Sequence, residues 1–180
     1  MIETRHCIKI VEKSHFSLFT NARCEFKLMS TGGKKWEMMY FGTYERNLDE
    51  KGRLQLPSRL IGESEETYTL VKALDGCMSI YDKQGFDKLL EKLSGLDTFD
   101  PDTLAFVRMT TASITPLKYD QHGRLLFPRE VLRAYGIGNK VTIIGVLDHF
   151  EVWDEEAYVR YSLKSSLQYE NYARNLKRNG

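Results

Sequence analysis

Cysteine and proline are scarce in this chain, and net charge is nearly absent. The 180 residues include three Cys and four Pro and carry a formal charge of +1. Cys7, Cys24 and Cys77 show no CxxC spacing, and the four His do not fall at metal-ligand intervals from them. That argues against a zinc site and against a disulfide framework. Reduced thiols, with Cys77 buried in or near a strand, are the expectation. Long apolar runs are also missing: none approaches the roughly 18–20 residues needed to cross a bilayer. Lys9, Glu12 and Lys13 interrupt the region where a signal-peptide core would sit. The chain lacks a Ser/His or Cys/His constellation and a phosphate-binding glycine loop, and its carboxylates sit at turns rather than converging. No catalytic residue, cofactor, membrane contact or small-molecule substrate is expected.

The small net charge excludes a broad positive field. Residues 1–38 hold seven Lys/Arg and four Asp/Glu, leaving 19 of the 26 basic and 21 of the 25 acidic residues to 39–180. DNA binding by such a body requires a few concentrated basic side chains. With 42% hydrophobic and 28% charged residues, the composition is otherwise that of a globular protein.

What the chain does contain is a repeat. Asp49-Glu-Lys-Gly-Arg-Leu-Gln-Leu-Pro57 returns 71 positions later as Asp120-Gln-His-Gly-Arg-Leu-Leu-Phe-Pro128, both reading D-x-x-G-R-L-x-x-P. The similarity continues: Tyr68–Asp75 aligns with Val141–Asp148, and Met78–Asp82 with Phe150–Asp154. Two copies at this period indicate a duplicated domain rather than a solenoid.

Each copy reads as strand, glycine turn, strand, helical turn and a second hairpin. In the first, residues 41–48 alternate, Asp49–Gly52 turns, Arg53–Leu56 alternates until Pro57, and Asp75-Gly76 joins two more strands. Asp82 then caps a helix with Phe86, Leu89, Leu90 and Leu93 on one face. Asp100-Pro101 opens a linking helix to about residue 111. The second copy has strands near 114–119 and to Phe127, a helical turn over 128–135, and a hairpin from Val141 to Trp153. A long helix follows Asp154, with Val159, Leu163 and Leu167 forming an apolar face. The boundaries expected are a first module over 43–85, linking helices over 86–113, a second module over 114–157, and a C-terminal helix and tail over 158–180. Units of about 40 residues cannot bury a core alone, so the two should interleave as one barrel-like β core about a pseudo-two-fold axis.

Residues 1–38 lack the repeat and end in the polar cluster Ser30–Lys35. They read as an extension: a disordered arm, or a translated leader upstream of a start at Met38 or Met39. A basic arm touching DNA is the functional alternative.

In the repeated turn, Asp49/Arg53 and Asp120/Arg124 bracket the glycines Gly52 and Gly123. The carboxylate can cross to the guanidinium or cap the turn amides. The bland reading is a device that only locks the hairpin. The functional one leaves Arg53 and Arg124, beside Lys51 and His122, to meet phosphates or guanine edges. Arg59, Arg129 and Arg133 read as solvated helix-face charges.

The stretch Gly42–Pro57 with its second D-x-x-G-R-L-x-x-P resembles the MraZ family of bacterial transcriptional regulators, over essentially all of residues 39–176. The resemblance implies an α+β fold with a mainly β core: two tandem AbrB-like (SpoVT-AbrB) modules with swapped hairpins in one pseudo-two-fold barrel, flanked by helices. It implies ring-shaped homo-oligomers in the cytoplasm and nucleoid that bind double-stranded DNA at direct repeats upstream of the cell division and cell wall gene cluster. The family's D-x-x-x-R residues fall on Asp49/Arg53 and Asp120/Arg124. DNA contact carries over most directly to Arg53, because His122 stands where the first copy has Lys51. The competing readings are an antitoxin-like interaction module, an enzyme on a related barrel, and an oligomeric scaffold without DNA.

Overall fold

The structure, a computed structural model, describes residues 39–61 and 67–178. The expectations for the extension over 1–38, and for Cys7 and Cys24 within it, lie outside the described residues. Eight strands form one antiparallel sheet: β1 (Thr43–Asn47), β2 (Arg53–Gln55), β3 (Thr67–Lys72), β4 (Met78–Tyr81), β5 (Thr115–Tyr119), β6 (Arg124–Leu126), β7 (Lys140–Val146) and β8 (His149–Asp154). Their spatial order is β1-β7-β8-β4-β3-β5-β6-β2. A bridge between Leu48 and Leu54 brings the two ends together into a nearly closed barrel.

The duplication is written into this pairing. No two consecutive strands of one copy suffice: β1 pairs with β7, β3 with β5, β2 with β6 and β4 with β8, so the copies are interleaved. Arg46 opposite Val141 and Leu117 opposite Tyr68 are equivalent positions in equivalent pairs. Leu54 faces its own counterpart Leu125, and Ser79 faces Glu151. A pseudo-two-fold axis therefore passes through the β2–β6 ladder at one pole and the β4–β8 ladder at the other. Alternation sends Leu54, Leu70, Ile80, Leu117, Leu125, Ile143, Phe150 and Val152 inward, each at most 1% exposed. Tyr40, Tyr68 and Phe150 make edge-to-face contacts within this core.

Helices cover the β4–β8 pole. Asp82 accepts from the Gly85 amide at 2.6 Å and caps α1 (Lys83–Ser94). Gly85 is required there, because a side chain would collide with the Asp148 carbonyl. The expected apolar face of α1 is only partly inward: Leu93 is buried, whereas Leu90 is 40% exposed. Asp100 caps α2 (Pro101–Ala112) through the Thr103 amide at 2.7 Å. A short α3 (Arg129–Ala134) follows β6, and a 3-10 turn at Ser58–Leu60 holds the same place in the first copy. The last helix, α4 (Glu155–Arg178), starts within the second module as bounded from sequence and runs through nearly all of the expected C-terminal helix and tail. Val159, Leu163 and Leu167 do form a stripe on it, but they face solvent at 45, 64 and 88% exposure. The barrel is met instead by Tyr158 and Tyr161, which pack on Trp153. Among the described residues no helix is long and apolar enough to cross a membrane.

Beneath these helices, on the outer face of β4 and β8, lies a polar cluster that sequence patterning does not expose. His149 Nδ1 lies 2.7 Å from Asp148, its Nε2 lies 3.9 Å from Glu151, and its ring stacks on Tyr81. Lys92 reaches Asp148 at 3.3 Å, and the Trp153 indole donates to Glu151 at 2.9 Å. Cys77 is buried, as expected, and burial beside Glu151 raises its thiol far above the ordinary range.

Candidate nucleic-acid interface

The two repeated turns meet at the opposite pole, where β2 and β6 are only three residues each. Within each turn the aspartate is the organiser. Asp49 Oδ1 accepts from the amides of Lys51 and Arg53, both at 2.9 Å. Asp120 Oδ1 accepts from His122 at 2.9 Å and Arg124 at 3.1 Å. Each Asp amide donates to the carbonyl of its Arg, and each Gly amide to the carbonyl of its Asp. Closing so tight a loop puts the glycines in the left-handed region, with φ of +79° at Gly52 and +78° at Gly123. Gly52 has a second constraint, since a Cβ there would sit 2.8 Å from the Phe127 carbonyl oxygen. Both Asp carboxyls are held below the ordinary value. The Arg53 amide is the main cause at Asp49, and the Arg124 side chain at Asp120.

The turns are tied to each other across the axis. Phe127 N–H donates to the Gly52 carbonyl, and Leu56 N–H to the Gly123 carbonyl. With Leu54 and Leu125 pointing inward, Arg53, Gln55, Arg124 and Leu126 all project from the outer face of the same ladder. Arg53 opposes Leu126 and Arg124 opposes Gln55, so the two arginines are diagonal neighbours, roughly 7–8 Å apart at the backbone. Arg124 is near enough to help hold the Asp49 carboxyl down. The sequence places these residues at two separate turns; the fold brings them onto one face.

The copies differ in how the arginine is held. Arg124 Nε and Nη2 both reach Asp120 Oδ2, at 2.9 and 2.8 Å, so two guanidinium donors converge on one carboxylate oxygen. The Arg53 guanidinium has no such bond; it senses Asp49 only through charge. Lys51 and His122 are exposed at the tips. The braces also differ. Gln55 Nε2 donates to the Gly123 carbonyl at 2.9 Å, whereas its counterpart, Leu126, cannot.

Arg129 is exposed on α3, as the sequence reading has it, and makes one bond which that reading did not include. It reaches from α3 to the Glu50 carbonyl at 2.9 Å and props the first turn. Arg59 and Arg133 are exposed, as that reading has them. Neither Gln55 nor Arg129 stands out in sequence; the only signal is that both break the repeat, since the corresponding residues of the other copy are Leu126 and Ser58.

The arrangement is a small outward face carrying two guanidiniums, one clamped to its own aspartate and one not, on a backbone fixed by its own carboxylates. It suits polyanion binding and offers no convergent acid, base and nucleophile. A family model described as "MraZ protein, putative antitoxin-like" matches residues 39–109 and 113–179. Proteins named "Transcriptional regulator MraZ" are similar over most of the chain. That of Finegoldia magna is 35% identical over 136 residues, 75% of this chain and 94% of that protein. That of Acetivibrio thermocellus is 34% identical, with the same coverage. That of Thermomicrobium roseum is 36% identical over 119 residues, 66% of this chain and 83% of its own.

Proposed function

Because the chain belongs to the MraZ family, we propose that it is a sequence-specific, DNA-binding transcriptional regulator whose contact surface is the β2–β6 pole. Arg53, flanked by Lys51, supplies the direct contact. Arg124 and His122 form a second, weaker arm. The observation that carries this reading is the single outer face on which the fold unites both D-x-x-G-R turns. Asp49 and Asp120 fix the loop backbone, and Gly52 and Gly123 permit it. Arginine at such a position has a fixed fork of donors that matches a phosphate or the O6/N7 edge of guanine.

One protomer offers few phosphate contacts, and each is diluted by neighbouring carboxylates, so its intrinsic affinity at physiological salt is low. The reading therefore includes a ring-shaped homo-oligomer in the cytoplasm, associated with the nucleoid. It engages direct repeats upstream of the cell division and cell wall gene cluster through several such faces at once. Binding a second repeat is then intramolecular, and affinity rises by effective concentration.

The test is a mobility shift with the chain's own upstream region carrying one, two or more repeats. Affinity should climb steeply from one repeat to two. Equal affinity for one repeat and for scrambled DNA would sink the reading.

A further inference from the structure

Where α1, α2 and α4 meet the outer face of β4 and β8, a cavity of about 340 Å³ is left between them. That volume lies within the roughly 300–1,000 Å³ of sites that hold small molecules. Much of its wall is aromatic. Tyr81 and Trp153 come from the sheet and are buried, while Phe106 of α2 and Tyr161 of α4 are exposed and complete the wall on the solvent side. The Trp153 and Tyr161 rings lie 4.7 Å apart, inclined at 35°. Such rings present faces of partial negative charge, which attract cations.

A carboxylate shares this aromatic wall. In the repeat, Ser79 and Tyr81 of the first copy correspond to Glu151 and Trp153 of the second. Ser79 faces Glu151 across the β4–β8 ladder, so only the second copy brings a charge to the cavity. Burial alone would raise the Glu151 pKa, but His149 and Trp153 hold it below its ordinary value, and the group is ionised at neutral pH. Its contacts are the Trp153 indole N–H at 2.9 Å, His149 Nε2 at 3.9 Å and the Cys77 thiol. They take three of the roughly four acceptor positions of a carboxylate. The side chain stays 22% exposed, which leaves the last position within reach of a donor in the cavity. Among the described residues, the other charged groups lining the cavity are Asp75 and Lys72. Bracing of His149 accounts for the pairing of Glu151, but not for the open aromatic space beside it.

We propose that this cavity binds a small organic cation, an ammonium compound with an apolar body, its charge set on Glu151 and its body held by Trp153, Tyr161 and Phe106. Charge complementarity selects the class: an ammonium gains both the carboxylate and the ring faces. An anion meets Glu151 and Asp75 against Lys72 alone, and a neutral molecule gains only apolar area. The site lies at the β4–β8 pole, opposite the arginine turns, and the inference does not depend on the DNA reading.

The test is isothermal titration calorimetry of the full chain at neutral pH with phenethylamine, phenethyl alcohol and phenylacetate, probes of similar size that differ in charge. The amine should bind saturably, with Kd below about 1 mM, the alcohol about tenfold more weakly, and the acid without measurable heat. Phe106→Ala alters an exposed side chain, should fold as wild type by circular dichroism, and should weaken the amine by about fivefold or more. Glu151→Gln keeps an acceptor for the Trp153 indole and should bring the amine down to the affinity of the alcohol. Should Glu151→Gln fail to fold, the three probes on wild type and Phe106→Ala still decide. No saturable binding of the amine, equal binding of all three probes, or undiminished amine affinity in either folded variant overturns the site.

Discussion

Arg53 and Arg124 have the same motif but different surroundings, and that difference sets their expected weights. Losing an arginine that contacts a base edge costs about 1–3 kcal/mol. Arg53→Ala should weaken DNA binding by that amount in a mobility shift, and Arg124→Ala by less, because Arg124 is clamped to Asp120. Asp120→Ala should have two effects: a looser second turn, and a freed Arg124 that raises nonspecific affinity, both readable by comparing specific with scrambled DNA. Gly52→Ala should destabilise the fold by more than about 1 kcal/mol in urea unfolding, since alanine is strained at positive φ and its Cβ meets the Phe127 carbonyl. The D-x-x-G-R spacing made the organisers legible, because an aspartate two and four residues ahead of amides in a glycine turn has few other uses. The clamp on Arg124, the Gln55 brace and the Arg129 prop depend on which residues lie across the axis, and no local pattern encodes that.

Among elements, strands and caps were the readable parts. Alternation, Asp-Gly turns and the Asp82 and Asp100 caps are local chemistry, and the elements fall close to where it places them. The outward turn of the α4 stripe was not readable: a helical period says which residues share a face, not what that face meets. The same holds for the His149 cluster, built by β4, β8 and α1 together. Burial alone would lower the His149 pKa, but Glu151 and Asp148 hold it above its ordinary value. Burial would also raise the two carboxyls. His149 lowers both, helped at Asp148 by Lys92 and at Glu151 by Trp153. The histidine's contribution to stability is complete below its unfolded pKa of about 6.5 and is lost as pH rises through the raised folded value. The carboxylates contribute above about pH 4 and lose that contribution as pH falls through their lowered values. Stability should therefore peak in mildly acidic solution. His149→Gln should cost about 1–3 kcal/mol at pH 6 and less at pH 8.5, measured by urea unfolding.

At the scale of the molecule, the interleaving of the copies makes each half dependent on the other for its core. A fragment ending at residue 113 leaves β3 without β5, β1 without β7 and β4 without β8, and should show no cooperative unfolding transition. The barrel also sets both repeated turns at one pole and the long helices at the other. Duplication and the need for a shared core were evident from the repeat, whereas the gathering of both turns at one pole came only with the strand order. The central claim is that the Arg53 turn, presented by an assembled protein, holds DNA by charge and shape. The measurement that tests it most directly is fluorescence anisotropy of wild type and Arg53→Ala on the upstream repeats, across about 50–200 mM salt. Arg53→Ala should keep the wild-type assembled mass, bind about tenfold or more weakly, and show a shallower fall of log affinity with log salt. Unchanged affinity and slope in an intact assembly would contradict it.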